Sequence, residues 1–268
     1  MANPIKVIIS GPRGRMGKEA VKMVTSNDNF ELVGVVDRIN EGKKLYEVDV
    51  EFNQIDCTVY TDLKQCIEET KPDCLVELSV PQAAFEHIKT ALAYKVRPVV
   101  GTTGLNKNEL EELKIKADEA RIGCIIAPNF AIGAVLMMKF SQMAAKYFQD
   151  VEIIEMHHNQ KLDAPSGTAI KTAQMIENVR IPKKQGHPEE IEKLKGSRGA
   201  DMSGMRIHSV RLPGLIAHQT VMLGGLGETL TIRHDSYNRA SFMTGVKLSI
   251  ETVMNLDYFV YGLENILD

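Results

Sequence analysis

The chain has 268 residues, of which 44% are hydrophobic and 25% are charged, and its formal net charge is −3. This length suffices for one large domain or two ordinary ones. The nearly balanced charge gives no electrostatic reason to expect nucleic acid or an anionic membrane as a partner. Because no stretch is apolar enough to span a membrane and the N-terminal segment lacks the apolar run of a signal peptide, we expect a cytoplasmic protein.

Strand and helix patterns alternate through the first half of the chain. Short β-branched runs predict strands at 6–10, 30–36, 73–78, 97–101 and 123–127. Helical spacing predicts helices at 14–25, 81–94 and 106–120, and the less regular stretch 38–56 is expected to be rich in loops. Strands separated by helix-length crossovers predict a doubly wound parallel sheet covered on both faces, which is an α/β fold.

The pattern changes after residue 129. A long helix is predicted at 132–148, strands at 151–156, 207–212, 219–223 and 228–233, and a final helix at 240–254. The turn at 224–227 predicts an antiparallel hairpin between the last two strands. We therefore expect residues 129–238 to form a second, α+β domain with an open mixed sheet, and residues 1–128 and 239–268 to form the first domain.

The cysteines give no sign of a metal site. They stand at positions 57, 66, 74 and 124, with neither CxxC spacing nor a Cys/His cluster of zinc-site spacing. We expect reduced, mostly buried thiols in a reducing compartment, and no bound metal.

A glycine-rich turn follows the first predicted strand and opens the first predicted helix. It reads Gly11-Pro12-Arg13-Gly14-Arg15-Met16-Gly17. Glycine permits the tight turn and lets backbone N–H groups approach a pyrophosphate, and the helix N-terminus adds a fixed positive dipole end. The pattern is typical of a dinucleotide site.

An acidic residue at the end of the second strand supports this interpretation. Asp37 stands twenty residues past Gly17, where a carboxylate can accept hydrogen bonds from an adenosine ribose. A carboxylate there favours NADH, whereas the adjacent Arg38 suits the 2′-phosphate of NADPH. The sequence therefore does not decide between NADH and NADPH.

Two further turns are expected at the same edge of the sheet. Gly101-Thr102-Thr103-Gly104 follows one predicted strand, and Ala127-Pro128-Asn129-Phe130 follows another. Because the carboxyl ends of strands in a doubly wound sheet face the ligand crevice, we expect Gly101 to Thr103 to contact the nicotinamide ribose.

The segment from Glu155 to Ala169 concentrates ionisable residues between a strand end and a helix start. Histidine supplies protons near neutral pH, and lysine pairs with anionic substrates. Residues 157, 159 and 161 share a face of an extended chain, which predicts that His157 and Lys161 reach one site. The helix start Ser166-Gly167-Thr168 exposes consecutive backbone N–H groups and suits a carboxylate or phosphate.

Six segments resemble the 4-hydroxy-tetrahydrodipicolinate reductase family. They are GPRGRMG at 11–17, GTTG at 101–104, APNFAIG at 127–133, HHNQKLDAPSGTA at 157–169, SVRLPG at 209–214 and ETLTIRHDS at 228–236. The resemblance spans essentially the whole chain, and the segment at 157–169 is its most specific part. One departure is Asn159-Gln160, which stands where many members are more basic.

The resemblance implies a Rossmann domain that binds NADH or NADPH, a substrate domain, and a homotetramer built from the substrate-domain sheets. It implies reduction of a small cyclic dicarboxylate, with loss of water, in lysine biosynthesis. It also implies that His157 donates a proton, that Lys161 is its catalytic partner, and that His158, Gly167 and Thr168, with Ser166 beside them, bind substrate. The cofactor-binding residues that it implies are Gly11, Pro12, Arg13, Gly14, Arg15, Met16, Asp37, Arg38, Gly101, Thr102, Thr103, Ala127, Pro128, Asn129 and Phe130.

Two alternatives stay open at this point. Another two-domain dehydrogenase acting on an amino-acid-like substrate would share the first domain, but it has no reason to carry the HHxxKxDxPSGT pattern. A nucleotide-sensing binding protein without turnover would keep the turn at 11–17 and need neither His157 nor Lys161. An assay of variants at these two positions separates a sensor from an enzyme.

Overall fold

The computed structural model describes residues 3–267, which divide into two compact units. The first unit runs to Phe130 and resumes at Phe242, and the second comprises Ala131–Ser241. The strands are β1 (Ile5–Ser10), β2 (Phe30–Val36), β3 (Val59–Tyr60), β4 (Cys74–Glu77), β5 (Arg97–Val100), β6 (Cys124–Ile126), β7 (Asp150–His157), β8 (Ala200–Met202), β9 (Met205–Arg211), β10 (Ala217–Gly225), β11 (Glu228–Ser236) and β12 (Phe259–Tyr261). The α-helices are α1 (Arg15–Thr25), α2 (Leu45–Val48), α3 (Leu63–Thr70), α4 (Pro81–Ala93), α5 (Lys107–Ala120), α6 (Ile132–Ala144), α7 (Gly167–Glu177) and α8 (Met243–Val253).

The first unit is built on a seven-stranded parallel sheet in the order β12-β6-β5-β4-β1-β2-β3. The chain adds strands outward from β1 to β3 and then, in the other direction, from β4 to β6. Ligands bind at such a reversal, beside the C-terminal ends of the strands. The expected doubly wound, Rossmann-type sheet is confirmed.

Helices pack in two layers against this sheet. Helices α3, α4 and α5 lie side by side, while α1 packs against α8. Residues Val7, Ile8 and Ile9 of β1 are all fully buried, although successive side chains of a strand point to opposite faces. Successive residues in the middle of β1 are apolar because both faces of the sheet are covered.

Several short elements of the first unit were not predicted. They are the two-residue strand β3, helix α3 and the three-residue strand β12, and the stretch expected to be rich in loops contains α2 and a 3-10 helix at Val50–Phe52. Strands of two or three residues are too short to show a period of two, which explains the omission of β3 and β12.

The second unit is an open mixed sheet in the order β11-β10-β7-β9-β8. Strands β7 and β9 are parallel, and the other neighbours are antiparallel. The predicted hairpin is confirmed, since β10 pairs with β11 from Gly225 opposite Glu228. Helix α6 ends at Ala144 rather than at residue 148, because Asp150 already begins β7.

Helices cover one face of this second sheet. Helix α6 packs against β10 and β11, and α7 packs against β7. Along β7, Val151, Ile153 and Glu155 are buried, whereas the alternate residues are only partly buried. We call the side that carries the alternate residues the open face. No helix in residues 3–267 combines the length and the apolar character needed to cross a membrane.

Candidate active site

The turn between β1 and α1 depends on its glycines. Gly11 has a φ of +80°, and a Cβ there would lie 2.7 Å from the carbonyl oxygen of Leu78. A Cβ on Gly17 would lie 2.0 Å from the carbonyl oxygen of Gly11, so α1 reaches the turn only because residue 17 lacks a side chain. Gly14 is the N-cap of α1 and has no side chain to accept the first-turn N–H groups. Those groups suit an anionic ligand.

Arg13 and Asp37 form a two-point ion pair beside this turn. Arg13 Nε lies 2.5 Å from Asp37 Oδ2, and Arg13 Nη2 lies 2.8 Å from Asp37 Oδ1. Burial raises the pKa of Asp37, but the hydrogen bonds and charge of Arg13, with the backbone N–H of Arg38, outweigh it and lower the pKa. Asp37 therefore stays ionised at the end of β2, where an acid can accept hydrogen bonds from a ribose.

A cavity of about 390 Å³ lies against the turn. Five predicted residues line it: Gly11, Arg13, Gly14, Asp37 and Arg38. The lining residues that were not predicted are Ser10, Val36, Thr61, Leu78, Ser79, Val80, Ala83 and His87. Most of them follow β4 or lie on α4, and the loop after β4 reaches the same sheet edge as the other strand ends. Pro12, Arg15 and Met16 belong to the turn but do not line this cavity.

The predicted residues after β5 and β6 lie at the same sheet edge but do not line the cavity. These residues are Gly101, Thr102, Thr103, Ala127, Pro128, Asn129 and Phe130. A Cβ on Gly101 would lie 2.8 Å from the Phe130 ring and 2.7 Å from the Leu78 side chain, so the structure brings these three residues together. The glycine cradle, the acid after β2 and the cavity between them fit NADH or NADPH.

A buried polar network that sequence reasoning missed lies beneath the cavity. Glu77, at the end of β4, is fully buried and lies 2.7 Å from Nδ1 of His87. The backbone N–H and the hydroxyl of Ser79 also donate to it. Burial raises the pKa of Glu77, but His87 and Ser79 outweigh it and lower the pKa. Ser10 Oγ lies 3.1 Å from the same Nδ1, so the network links the ends of β1 and β4.

The second candidate site stands at the end of β7 in the second unit. His157 is the last residue of the strand, and its Nδ1 lies 2.5 Å from Oε2 of Glu155. Arg211, at the end of β9, donates to both oxygens of Glu155, at 2.9 and 2.7 Å. Burial raises the pKa of Glu155, but hydrogen bonds from His157, Arg211 and Ser209 outweigh it and lower the pKa to about 2. Glu155 and Arg211 were not predicted.

The extended conformation expected from His157 to Lys161 is wrong. Residues 157 to 161 do not continue as an extended chain, because β7 ends at His157 and the chain turns, with the N–H of Lys161 donating to the carbonyl of His158 at 3.2 Å. Lys161 Nζ pairs instead with Oδ1 of Asp163 at 2.7 Å. The loop is held near the strand ends because Arg211 donates to the carbonyl of Asp163 at 2.8 Å.

Helix α7 begins where the Ser-Gly-Thr pattern predicts. Ser166 is the N-cap, and its Oγ accepts from the N–H of Ala169 at 3.2 Å. Its own N–H donates to Oε1 of Glu155 at 3.3 Å, so the helix start is joined to the end of β7. Gly167 is exposed, and a Cβ there would meet no atom within 4 Å. The first turn of α7 is thus accessible to an anion.

No group of three or more His, Cys, Asp or Glu side chains between residues 3 and 267 is placed to hold a metal ion. His157 and His158 are adjacent in sequence, and His157 is directed to a carboxylate that Arg211 already neutralises.

Comparison with known proteins identifies the family. The family model "Dihydrodipicolinate reductase, N-terminus" matches residues 5–130, and "Dihydrodipicolinate reductase, C-terminus" matches residues 133–267. The chain belongs to the dihydrodipicolinate reductase family. Relatives named 4-hydroxy-tetrahydrodipicolinate reductase, from Bacillus velezensis and Bacillus licheniformis, are 62% and 63% identical over 264 residues, which is 98% of this chain and of each relative.

Solved structures of the family and beyond share the fold. Dipicolinate-bound dihydrodipicolinate reductase from Paenisporosarcina sp. TG-14 is 55% identical, with a TM-score of 0.89 over 98% of this chain and 100% of that chain. An amine dehydrogenase from Mycobacterium smegmatis has a TM-score of 0.67 at 13% identity, over 97% of this chain and 95% of that chain. At this identity the second likeness concerns the fold alone.

Proposed function

We propose that this protein is a 4-hydroxy-tetrahydrodipicolinate reductase. It reduces 4-hydroxy-2,3,4,5-tetrahydrodipicolinate to 2,3,4,5-tetrahydrodipicolinate with loss of water, using NADH or NADPH, in lysine biosynthesis through diaminopimelate. One observation carries the proposal. An imidazole and a helix N-terminus are held by the same buried carboxylate, Glu155, and an ammonium stands in the loop that joins them. Such a set supplies the proton donor and the anion sites that reduction of a dicarboxylate requires.

In the first unit the chain holds the dinucleotide. The N–H groups at the start of α1 bind the pyrophosphate, and Asp37 with Arg13 and Arg38 bind the adenosine ribose. The residues after β5 and β6, from Gly101 to Thr103 and from Ala127 to Phe130, hold the nicotinamide end. When bound, NADH or NADPH supplies a hydride.

In the second unit the chain holds the substrate and supplies the proton. The first turn of α7, at Ser166, Gly167 and Thr168, accepts one carboxylate, and Lys161 and His158 bind the other anionic group. Loss of the 4-hydroxyl group with a hydrogen of the neighbouring carbon, as water, leaves a double bond in the ring. Hydride addition to that double bond leaves negative charge on the substrate, which His157 neutralises by donating a proton. Lys161 is the catalytic partner because its ammonium stabilises that charge.

The experiment is steady-state oxidation of NADH and NADPH with freshly prepared dihydrodipicolinate synthase product. His157→Gln and Lys161→Ala each lower kcat by about 100-fold or more, the usual contribution of a positioned proton donor or charge. Equilibrium binding of NADH, read by fluorescence, stays near the wild-type value. Matched controls are His187→Gln and Lys193→Ala, which change the same residue types at exposed positions of the second unit.

Two outcomes would overturn the assignment. Wild-type protein that binds NADH but does not oxidise it with this substrate would be a nucleotide sensor. Unchanged turnover in both site variants would place the chemistry elsewhere in the molecule.

The oligomeric part of the proposal is a homotetramer built through the open face of the second sheet. Ile154, Met156 and Val210 on that face are only partly buried, and Met222 is 40% exposed. Light scattering then gives a particle of four 29.8 kDa chains, and Met222→Glu dissociates it. A monomer in solution at micromolar concentration would contradict this part alone.

We place the enzyme in the cytoplasm. The four cysteines are free and buried, which suits a compartment that keeps thiols reduced. Fractionation that recovers the reductase activity outside the cytosolic fraction would reject this placement.

A further inference from the structure

Glu155 is a fully buried carboxylate that accepts hydrogen bonds from three segments of the chain, namely β7, β9 and the start of α7. Its Oε2 receives His157 Nδ1 at 2.5 Å and Arg211 Nη1 at 2.9 Å. Its Oε1 receives Arg211 Nη2 at 2.7 Å and the N–H of Ser166 at 3.3 Å. A buried carboxylate is expensive unless it is paired and hydrogen-bonded, so this arrangement persists only if all partners stay in place.

We propose that Glu155 is a positioning residue that sets the proton donor and the carboxylate-binding helix start with one side chain. It orients His157 through Nδ1 and the first turn of α7 through the N–H of Ser166, while Arg211 fixes the carboxylate itself. This inference rests on the proposed reductase function, which gives His157 and the start of α7 their roles.

The hydrogen bond to Glu155 decides which nitrogen of His157 does the chemistry. An ionised carboxylate only accepts, so Nδ1 of His157 must carry a proton in both charge states of the ring. Nε2 is then the nitrogen that gains and loses the proton, and it is the atom that donates to substrate. Because Glu155 keeps a pKa of about 2, it stays ionised at neutral pH and does not itself take the proton.

The charges around His157 fix the direction of the expected effects. Glu155 on β7 stabilises the protonated ring, and Arg211 on β9 opposes it by compensating Glu155. Lys161, Asp163 and His158 stand in the following loop, with Lys161 and Asp163 paired to each other. Strand β10 places the uncharged Ala217 opposite His157. Removal of Glu155 and removal of Arg211 should therefore shift the pH dependence of kcat in opposite directions.

The first test reads the ring nitrogens of the wild-type protein by ¹H–¹⁵N NMR. The expected result is a proton on Nδ1 and none on Nε2 in the neutral ring of His157. A neutral ring that is protonated at Nε2 instead overturns the proposal. This readout needs neither turnover nor a variant, so it stands even if the proposed reductase activity is absent.

The second test compares kcat against pH in Glu155→Gln and Arg211→Gln. Glu155→Gln keeps the size but places an amide against Nδ1, and kcat falls by roughly 100-fold or more because the wrong tautomer is favoured. The high-pH limb of the profile shifts to lower pH in Glu155→Gln and to higher pH in Arg211→Gln. Glu155→Asp, which keeps the charge, recovers part of the lost kcat and restores the position of the limb.

A residue on the same strand provides a matched control. Glu152 also holds a histidine and an arginine, His208 at 2.8 Å and Arg198 at 2.7 Å, but it faces away from the helices. Glu152→Gln leaves the pH profile of kcat in place. Loss of kcat in Glu155→Gln with an unmoved profile, or equal shifts in the two Gln variants, would reduce Glu155 to a structural role and refute the inference.

Discussion

Arg13→Ala is expected to impair use of NADPH far more than use of NADH. In the structure the Arg13 guanidinium donates two hydrogen bonds to Asp37. The Arg13 side chain is 37% exposed, whereas the Asp37 side chain is 9% exposed. Arg13 is thus free to turn toward a 2′-phosphate, while Asp37 is fixed and ionised. Without Arg13, the uncompensated carboxylate of Asp37 faces that phosphate, but it still accepts hydrogen bonds from the ribose of NADH.

The magnitude follows from the contact that is lost. A hydrogen bond between charged groups contributes about 1.5 to 3 kcal/mol, which corresponds to roughly a tenfold to 150-fold loss in kcat/KM for NADPH. NADH has no 2′-phosphate for Arg13 to bind and keeps the ribose hydrogen bonds of Asp37, so its kcat/KM changes little. Folding is also little affected, because a partly exposed ion pair contributes at most about 1 kcal/mol.

The assay measures kcat/KM for both cofactors on the same preparation at low and at moderate salt. Lys114→Ala, which removes one exposed positive charge from α5, is the control for net charge. Asp37→Asn should have the opposite effect: kcat/KM for NADH falls, and kcat/KM for NADPH is retained. A loss of equal size for both cofactors in Arg13→Ala would refute the reasoning, since it would place Arg13 at the shared pyrophosphate.

Three further predictions concern stability and reactivity. The pKa of Glu155 is about 2, against an ordinary value of 4.5. Its ionised form therefore contributes about 3 kcal/mol to the free energy of unfolding, and this contribution is present in full above pH 4.5 and is lost as the pH falls toward 2. Urea unfolding below pH 4.5 should therefore show a steeper loss of stability in wild type than in Glu155→Gln. Gly17→Ala should abolish NADH binding and lower the melting temperature, because its Cβ would lie 2.0 Å from the carbonyl oxygen of Gly11. Burial raises the pKa of all four cysteine thiols, so a thiol reagent should label none in the native protein and four after denaturation.

Each of these predictions has its own check. An equally steep acid dependence in Glu155→Gln would assign the acid sensitivity to other carboxylates. Gly224→Ala, whose Cβ would find its nearest neighbour at 3.8 Å, should leave both binding and melting temperature intact. Rapid labelling of any native thiol would show that the first unit opens locally.

The elements that could be predicted are those whose signal is local. One continuous stretch of sequence contains β1, the turn at Gly11 and the start of α1. Its own residues are enough to predict a phosphate-binding turn. The same is true of Ser166, whose capping role depends on the N–H of Ala169, three residues away. Asp37 was also predictable from local sequence, because it directly follows β2.

The elements that were missed depend on distant partners. A lone Glu155 in a strand suggests a solvent-facing side chain, and the arginine that compensates its buried charge, Arg211, lies 56 residues later. The turn before Lys161 was also missed because it depends on residues that are distant in sequence. Strand β7 ends where its neighbours end, opposite Arg211 of β9 and Ala217 of β10, and nothing near His157 marks that point.

The discontinuity of the first unit has a consequence for how the protein is made. Strand β6 forms its outer pairing with β12, which is translated only after the whole of the second unit. At ribosomal speeds that interval is on the order of ten seconds. Until β12 pairs with β6, the apolar edge at Cys124–Ile126 is unpaired and prone to associate with other chains. The second unit is continuous in sequence, so it can be complete before the first unit is. During that time the β6 edge of the first sheet is exposed in the nascent chain.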